Sequence, residues 1–214
     1  MLMYCRVSPN WVRWVLLAVL LALAIMGCRS ALQSPVRTNA VDLRRIHPTP
    51  GTTIVRFEQI DDAIYRGSKP KSDADYEFLR SKNIKFILNL RFFPFLSEAE
   101  TQNARRHQMI PMTATISASP VQPTERHINQ ILCLLRDERF HPIYFHCDLG
   151  RDRASLIAAL YEVYFRGVSR EKAWQRAEQF GFKGGWTLRG LKAYFDEHTQ
   201  APISRHVPNC SASR

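Results

Sequence analysis

His146-Cys147-Asp148-Leu149-Gly150-Arg151-Asp152-Arg153-Ala154-Ser155 place a thiol, guanidinium groups, carboxylates and a glycine between a compact apolar run, Pro142-Ile143-Tyr144-Phe145, and a helical pattern from Ala154 to Arg166. A loop that leaves a buried strand and opens a helix can turn successive N–H groups inward at the positive end of the helix dipole. That makes a nest for a tetrahedral dianion. Gly150 admits a backbone angle that a side chain resists. Arg153, six residues after Cys147, can fold back and grip two phosphate oxygens. The same amides and dipole favour a thiolate at Cys147; free cysteine titrates near ~8.5 and comparable sites reach roughly 3.5–7.5. A thiolate beneath a bound phosphate is set for in-line attack and a phosphocysteine intermediate.

The bare spacing is not enough. Cys133 and Arg139 repeat it, but Cys133 sits in the helical run Ile131-Leu132-Cys133-Leu134-Leu135 with no glycine and no preceding strand. It reads as a core residue. The residues around Cys147 are what distinguish the loop.

Strands and helices alternate around it. Short strands are expected at Thr53–Phe57 and Ala63–Tyr65, buried strands at Lys85–Leu90 and Pro142–Phe145, and a strand over Ile110–Ile116. Ser72 to Asp75 and Ser97 to Glu100 have capping-box spacing and open helices. A further helix runs to about Arg136. The helix Ala154–Arg166 is amphipathic, with Leu156, Ile157, Leu160, Val163 and Tyr164 on one face, and Gly167 ends it. Ser169 and Thr187 cap the last two helices, whose Trp174 and Trp186 read as core. Such alternation predicts an α/β domain with a central, largely parallel sheet.

The N-terminus is read as a leader. Arg6 and Arg13 precede an apolar run, Trp14 to Met26, shorter than the ~20 residues a bilayer span needs. This fits a signal peptide over 1–28. Ile25-Met26-Gly27-Cys28 is similar to a lipoprotein cleavage box, with Cys28 the lipidated residue; an uncleaved signal anchor is the alternative. Either places the domain outside the cytoplasm, in a bacterial envelope. Residues 29–51 read as a flexible tether, 52–198 as the domain and 199–214 as a loose tail. The cysteines, at 5, 28, 133, 147 and 210, show no metal-site spacing, and a structural disulfide to Cys210 stays open. A net charge of +11 suits anionic partners, namely phosphate esters or an acidic lipid surface. No basic stripe interleaved with aromatics appears, so nucleic acid is not an expected partner.

His146 to Arg153 resembles the HCxxGxxR signature loop of the protein tyrosine and dual-specificity phosphatases. Tyr65-Arg66-Gly67-Ser68-Lys69-Pro70 and Ile84-Lys85-Phe86-Ile87-Leu88-Asn89-Leu90-Arg91 are similar to two upstream segments of the bacterial members, a group that includes the tyrosine-phosphatase-like inositol polyphosphatases. The resemblance implies a four- to five-stranded sheet flanked by helices, and hydrolysis of phosphate monoesters on a phosphorylated small molecule or phosphoprotein, without metal or cofactor. Within it, Cys147 is the nucleophile and Arg153 the clamp. Asp148, Leu149, Gly150, Arg151 and His146 form the substrate loop, with His146 shaping it and Asp148 facing its amides. Arg151 is an added cation suited to polyphosphates. Arg66 and Arg91 are expected to brace the fold with acids such as Glu100. Lys183, before Gly184-Gly185, either reaches the site or decorates a turn.

Two departures stand out. Ala154 occupies the place of a Ser or Thr whose hydroxyl helps the thiolate leave. No aspartate lies between His107 and Arg136, where the family keeps its general acid. Asp152 is a candidate acid, as in some inositide phosphatases with a similar loop, or else pairs with a neighbouring arginine. Ser117, Ser119 and Glu125 are weaker candidates. A non-catalytic phosphate-binding module is therefore the competing reading. A rhodanese-like sulfurtransferase is disfavoured by Arg153 and the upstream segments.

Overall fold

The computed structural model describes residues 47–91, 98–117 and 119–210. The leader with Cys28, most of the tether and the expected capping Ser97 lie outside the described residues. The strands are β1 (Glu58–Asp61), β2 (Ile64–Ser68), β3 (Phe86–Asn89), β4 (Ile110–Thr113) and β5 (Ile143–Cys147). The helices are α1 (Asp73–Ser81), α2 (Glu98–Arg106), α3 (Glu125–Arg136), α4 (Asp152–Phe165), α5 (Arg170–Gln179) and α6 (Arg189–His198).

The strands form one sheet in the order β1-β2-β5-β3-β4. β2, β5, β3 and β4 run parallel, and β1 adds an antiparallel edge. β5 is central and buried along its whole length, as a parallel strand covered on both faces must be. On one face Tyr76 and Leu79 of α1 and Ala104 of α2 close over Ile87 and Tyr144. On the other, α3 to α6 close over Leu88, Phe145 and Cys147.

Several expectations change in detail. Thr53–Phe57 is not a strand. Thr53 gives its amide and hydroxyl to Asp75 at 2.6 and 2.7 Å, and Arg56 takes a φ of 58°. Only Val55 pairs there, with Pro48, so the domain starts inside the expected tether. Asp75 also closes the Ser72 capping box of α1. α4 is not amphipathic in its setting: every residue from Ala154 to Val163 is buried, because the sheet lies on one side and other helices on the rest. Leu188, not Thr187, precedes α6, and Trp186 is exposed (71 %) where a core residue was expected.

The tail is the largest correction. Cys133 and Cys210 form a disulfide across a sequence separation of 77 residues. Cys133 is therefore a cross-link rather than simple core filling. Thr199 and Pro208 are buried, so residues 199–210 are packed on the domain rather than loose.

Candidate active site

β5 sorts the site by its pleat. Successive side chains alternate between faces: Ile143, Phe145 and Cys147 join the cluster under α3 to α6, and Tyr144 joins the one under α1 and α2. His146 falls on the Tyr144 side, stacked on that ring at 5.9 Å. Cys147 is the last residue of the central strand, 4 % exposed, and the single free cysteine among the described residues. α4 starts at Asp152, so the loop between strand and helix is very short and its amides lie at the helix N-terminus.

Gly150 makes the turn with φ +64°, and a Cβ there would stand 2.6 Å from both the Gly67 carbonyl oxygen and the Ser68 amide nitrogen. The loop thus lies flat on the end of β2, where only glycine fits. Arg66, almost fully buried, donates to the Gly150 carbonyl at 2.6 Å and to Ser155 Oγ at 2.8 Å. Its guanidinium rests on the Phe180 ring at 4.4 Å. Arg56 donates to the carbonyls of Phe180 (2.6 Å) and Leu149 (3.1 Å). Burial lowers both guanidinium groups below the usual arginine value, aided at Arg56 by the neighbouring Arg151 and opposed at Arg66 first by Glu58. Arg153 lies in the first turn of α4. Its Nε is sealed from solvent and meets no hydrogen-bond acceptor among the described residues.

The two loop aspartates are spoken for. Asp152 Oδ1 accepts from the Lys183 and Gly184 amides at 2.9 and 3.1 Å, and Oδ2 accepts from Arg151 Nε at 2.8 Å. Lys183 therefore serves the site through its backbone. Asp148 was expected to face loop amides; instead its carboxylate, largely exposed, faces Lys69 at 3.3 Å and Arg91 at 3.5 Å. Burial pushes the Asp148 carboxyl up, but Lys69 and then Arg91 outweigh it and hold it below the ordinary value. His146 contacts the Cys147 carbonyl through Nδ1 (3.2 Å) and Glu100 through Nε2 (2.9 Å), and Glu100 pairs with Arg91 at 2.9 Å. Burial would raise Glu100, yet His146 and Arg91 lower it on balance. This chain of charge ties α2 to the back of the loop. A cleft of about 610 Å3 opens beside it, lined among others by Lys69, Lys71, Arg91, Asn103, Asp148 and Leu149.

His146 to Arg153 thus occupy the end of β5, the short loop after it and the first turn of α4. Glu125 is not among them; it faces His206 from the start of α3. Arg56 and Lys69 were not singled out by residue type. Arg56 has no motif around it, while Lys69 lies inside the segment Tyr65 to Pro70 and was legible there.

Residues 52–163 match the model of the tyrosine phosphatase family. The chain belongs to that family. This phosphatase is 21% identical over 188 residues to the dual specificity protein phosphatase TpbA of Pseudomonas aeruginosa, covering 86% of this chain and 79% of that one. It is 29% identical over 112 residues to the inositol diphosphatase DSP3 of Arabidopsis thaliana, covering 50% and 54%. The crystal structure of P. aeruginosa TpbA matches with a TM-score of 0.59 at 18% identity, over 74% of this chain and 91% of that one. The core catalytic domain of the PP-IP phosphatase SIW14 from S. cerevisiae, solved with citrate, matches with a TM-score of 0.57 at 18% identity, over 70% and 88%. These likenesses show the phosphatase fold of a mostly parallel sheet between helices.

Proposed function

We propose that this phosphatase hydrolyses phosphate monoesters by covalent catalysis at Cys147. The thiolate attacks phosphorus in line, the bond from phosphorus to the leaving oxygen breaks, and that oxygen takes a proton from water. A second water then attacks the phosphocysteine, the S–P bond breaks, and inorganic phosphate leaves with the thiolate restored. Arg153 and the loop amides hold the remaining oxygens while charge builds on them. The observation that carries this reading is the buried Arg153 Nε without an acceptor, in the first helical turn after a strand-end cysteine. A buried donor of this kind is costly unless an anion meets it. Asp152 holds Arg151 and the Lys183–Gly184 turn with both oxygens, so we assign it a positioning role rather than that of the acid.

Purified protein is expected to release phosphate from p-nitrophenyl phosphate and from phytate in the presence of a chelator, and Cys147→Ser is expected to abolish release. Equal rates in the two proteins end the enzyme reading. The buried Ala154 and the engaged Asp152 favour a second reading, a non-catalytic phosphate-binding protein. It is supported if neither protein turns over while both bind phosphate.

For substrate class, Arg151, Lys69, Lys71 and Arg91 around the loop and its cleft favour an inositol polyphosphate over phosphotyrosine. Phosphate release across inositol phosphates, phosphoinositides and phosphotyrosine peptides tests this. We also place the domain outside the cytoplasm, anchored through Cys28 or an uncleaved leader. The Cys133–Cys210 disulfide supports that placement, since such bonds persist in oxidising compartments. With those two thiols tied to each other, neither competes for Cys147. Lipid labelling that persists in Cys28→Ala would count against the lipoprotein.

A further inference from the structure

Glu125, His198 and His206 lie far apart in the chain but meet at one corner of the domain. One ligand-capable atom of each lies within 4.8 Å of the others, and Glu125 Oε1 stands 4.0 Å from His206 Nδ1. A tetrahedral ion with bonds of roughly 2.0–2.1 Å keeps its ligand atoms roughly 3.3 Å apart. The side chains therefore need to close by up to about 1.5 Å, which side-chain rotations supply. His198 is already prepared. Its Nδ1 lies 3.0 Å from the Tyr194 carbonyl, which can only accept, so Nδ1 is the donor there and Nε2 is the ring nitrogen left to bind a cation. The ring stacks on Tyr194 at 3.8 Å, and the His198 carbonyl accepts from the Tyr164 hydroxyl at 2.8 Å. Backbone carbonyls that orient a histidine in this way are the usual outer support of a metal ligand. His206 meets His198 edge-on at 5.1 Å.

We propose that Glu125, His198 and His206 form a binding site for a borderline divalent cation of the Zn2+ type, with water as the fourth ligand. Two imidazoles and one carboxylate suit Zn2+ and disfavour the all-oxygen preferences of Mg2+ and Ca2+. The site joins the first turn of α3, the last residue of α6 and the segment that follows the short 3-10 helix Ile203–Arg205. The Cys133–Cys210 disulfide fastens the same C-terminal segment to the same helix α3. The cross-link thus holds His206 opposite Glu125 without a cation, and binding adds a second clasp. This site is separate from the phosphate loop, so it stands or falls independently of the enzyme reading.

The test uses untagged, disulfide-intact Cys147→Ser protein, which keeps the loop thiol from taking metal. After stripping with chelator, calorimetric titration with Zn2+ is expected to show one saturable equivalent and a raised Tm. His198→Ala, His206→Ala and Glu125→Gln are each expected to weaken binding at least about tenfold. Mg2+ and Ca2+ should give no signal, and Co2+ should give the visible bands of a tetrahedral ion. Absence of saturable Zn2+ binding, or an affinity unchanged in the variants, overturns the proposal. Glu125 is exposed, so Glu125→Gln decides the matter even if a histidine variant fails to fold: unchanged affinity there counts against the site.

Discussion

Arg66 donates to the Gly150 carbonyl at 2.6 Å, so a cation buried in β2 holds the one loop residue that turns left-handed. The same Nη2 reaches Ser155 Oγ, which binds the loop to the first turns of α4. Arg66→Lys keeps the charge but loses the planar fork. It is expected to lower stability by about 2–4 kcal/mol, because two buried acceptors lose a charge-assisted donor. Turnover should fall with it. Denaturant unfolding checks this, and an unchanged midpoint would refute the bracing role.

Gly150→Ala meets both a φ of +64° and the backbone of Gly67 and Ser68. The loop must lift off β2 to fit a methyl group. Expected is a loss of stability of at least about 2 kcal/mol and loss of nearly all phosphate release. Full activity in Gly150→Ala would mean that the loop has another shape in solution.

Asp152→Asn preserves an oxygen for the Lys183 and Gly184 amides but removes the ion pair with Arg151. A positioning residue should slow all esters alike. Rates are to be compared for leaving groups of high and low pKa. A selective loss on poor leaving groups would restore Asp152 as the general acid.

Glu100 is held below the ordinary carboxylate value, since His146 and Arg91 outweigh its burial. A depressed folded pKa adds stability above the unfolded value, near ~4.3, and that share is lost as pH falls through the folded value. Glu100→Gln should therefore be less stable than the parent at neutral pH, and the gap should narrow in acid. Thermal melts of both proteins from neutral pH downward measure the gap; one of constant size would show that the charge of Glu100 is not what matters.

Cys210→Ser opens a loop spanning a separation of 77 residues. The chain-entropy account of disulfides puts the cost at about 4.5 kcal/mol. The phosphate loop lies on other elements, so phosphate release at low temperature should persist. Loss of activity in the folded variant would reveal coupling between tail and loop.

The local content of the chain determined a good deal. The strand–loop–helix around Cys147, the Ser72 capping box and the alternation that requires a parallel sheet all rest on neighbouring residues, so pattern alone carries them. The turn at Gly150 and the place of Arg153 in the first turn of α4 were readable for the same reason: they come from one short segment. What depended on distant partners was not readable. Whether Asp152 carries a proton or accepts from the Lys183 turn depends on how α5 and the following loop pack onto α4. Cys133 is cross-linked because of where the C-terminal segment lands, and no periodicity encodes that landing. Thr53–Phe57 has the residues of a strand, yet Asp75 and the turn at Arg56 take its backbone elsewhere. Short-range preference names the parts, and the competition among burial, charge and hydrogen bonding across the folded chain assigns their partners.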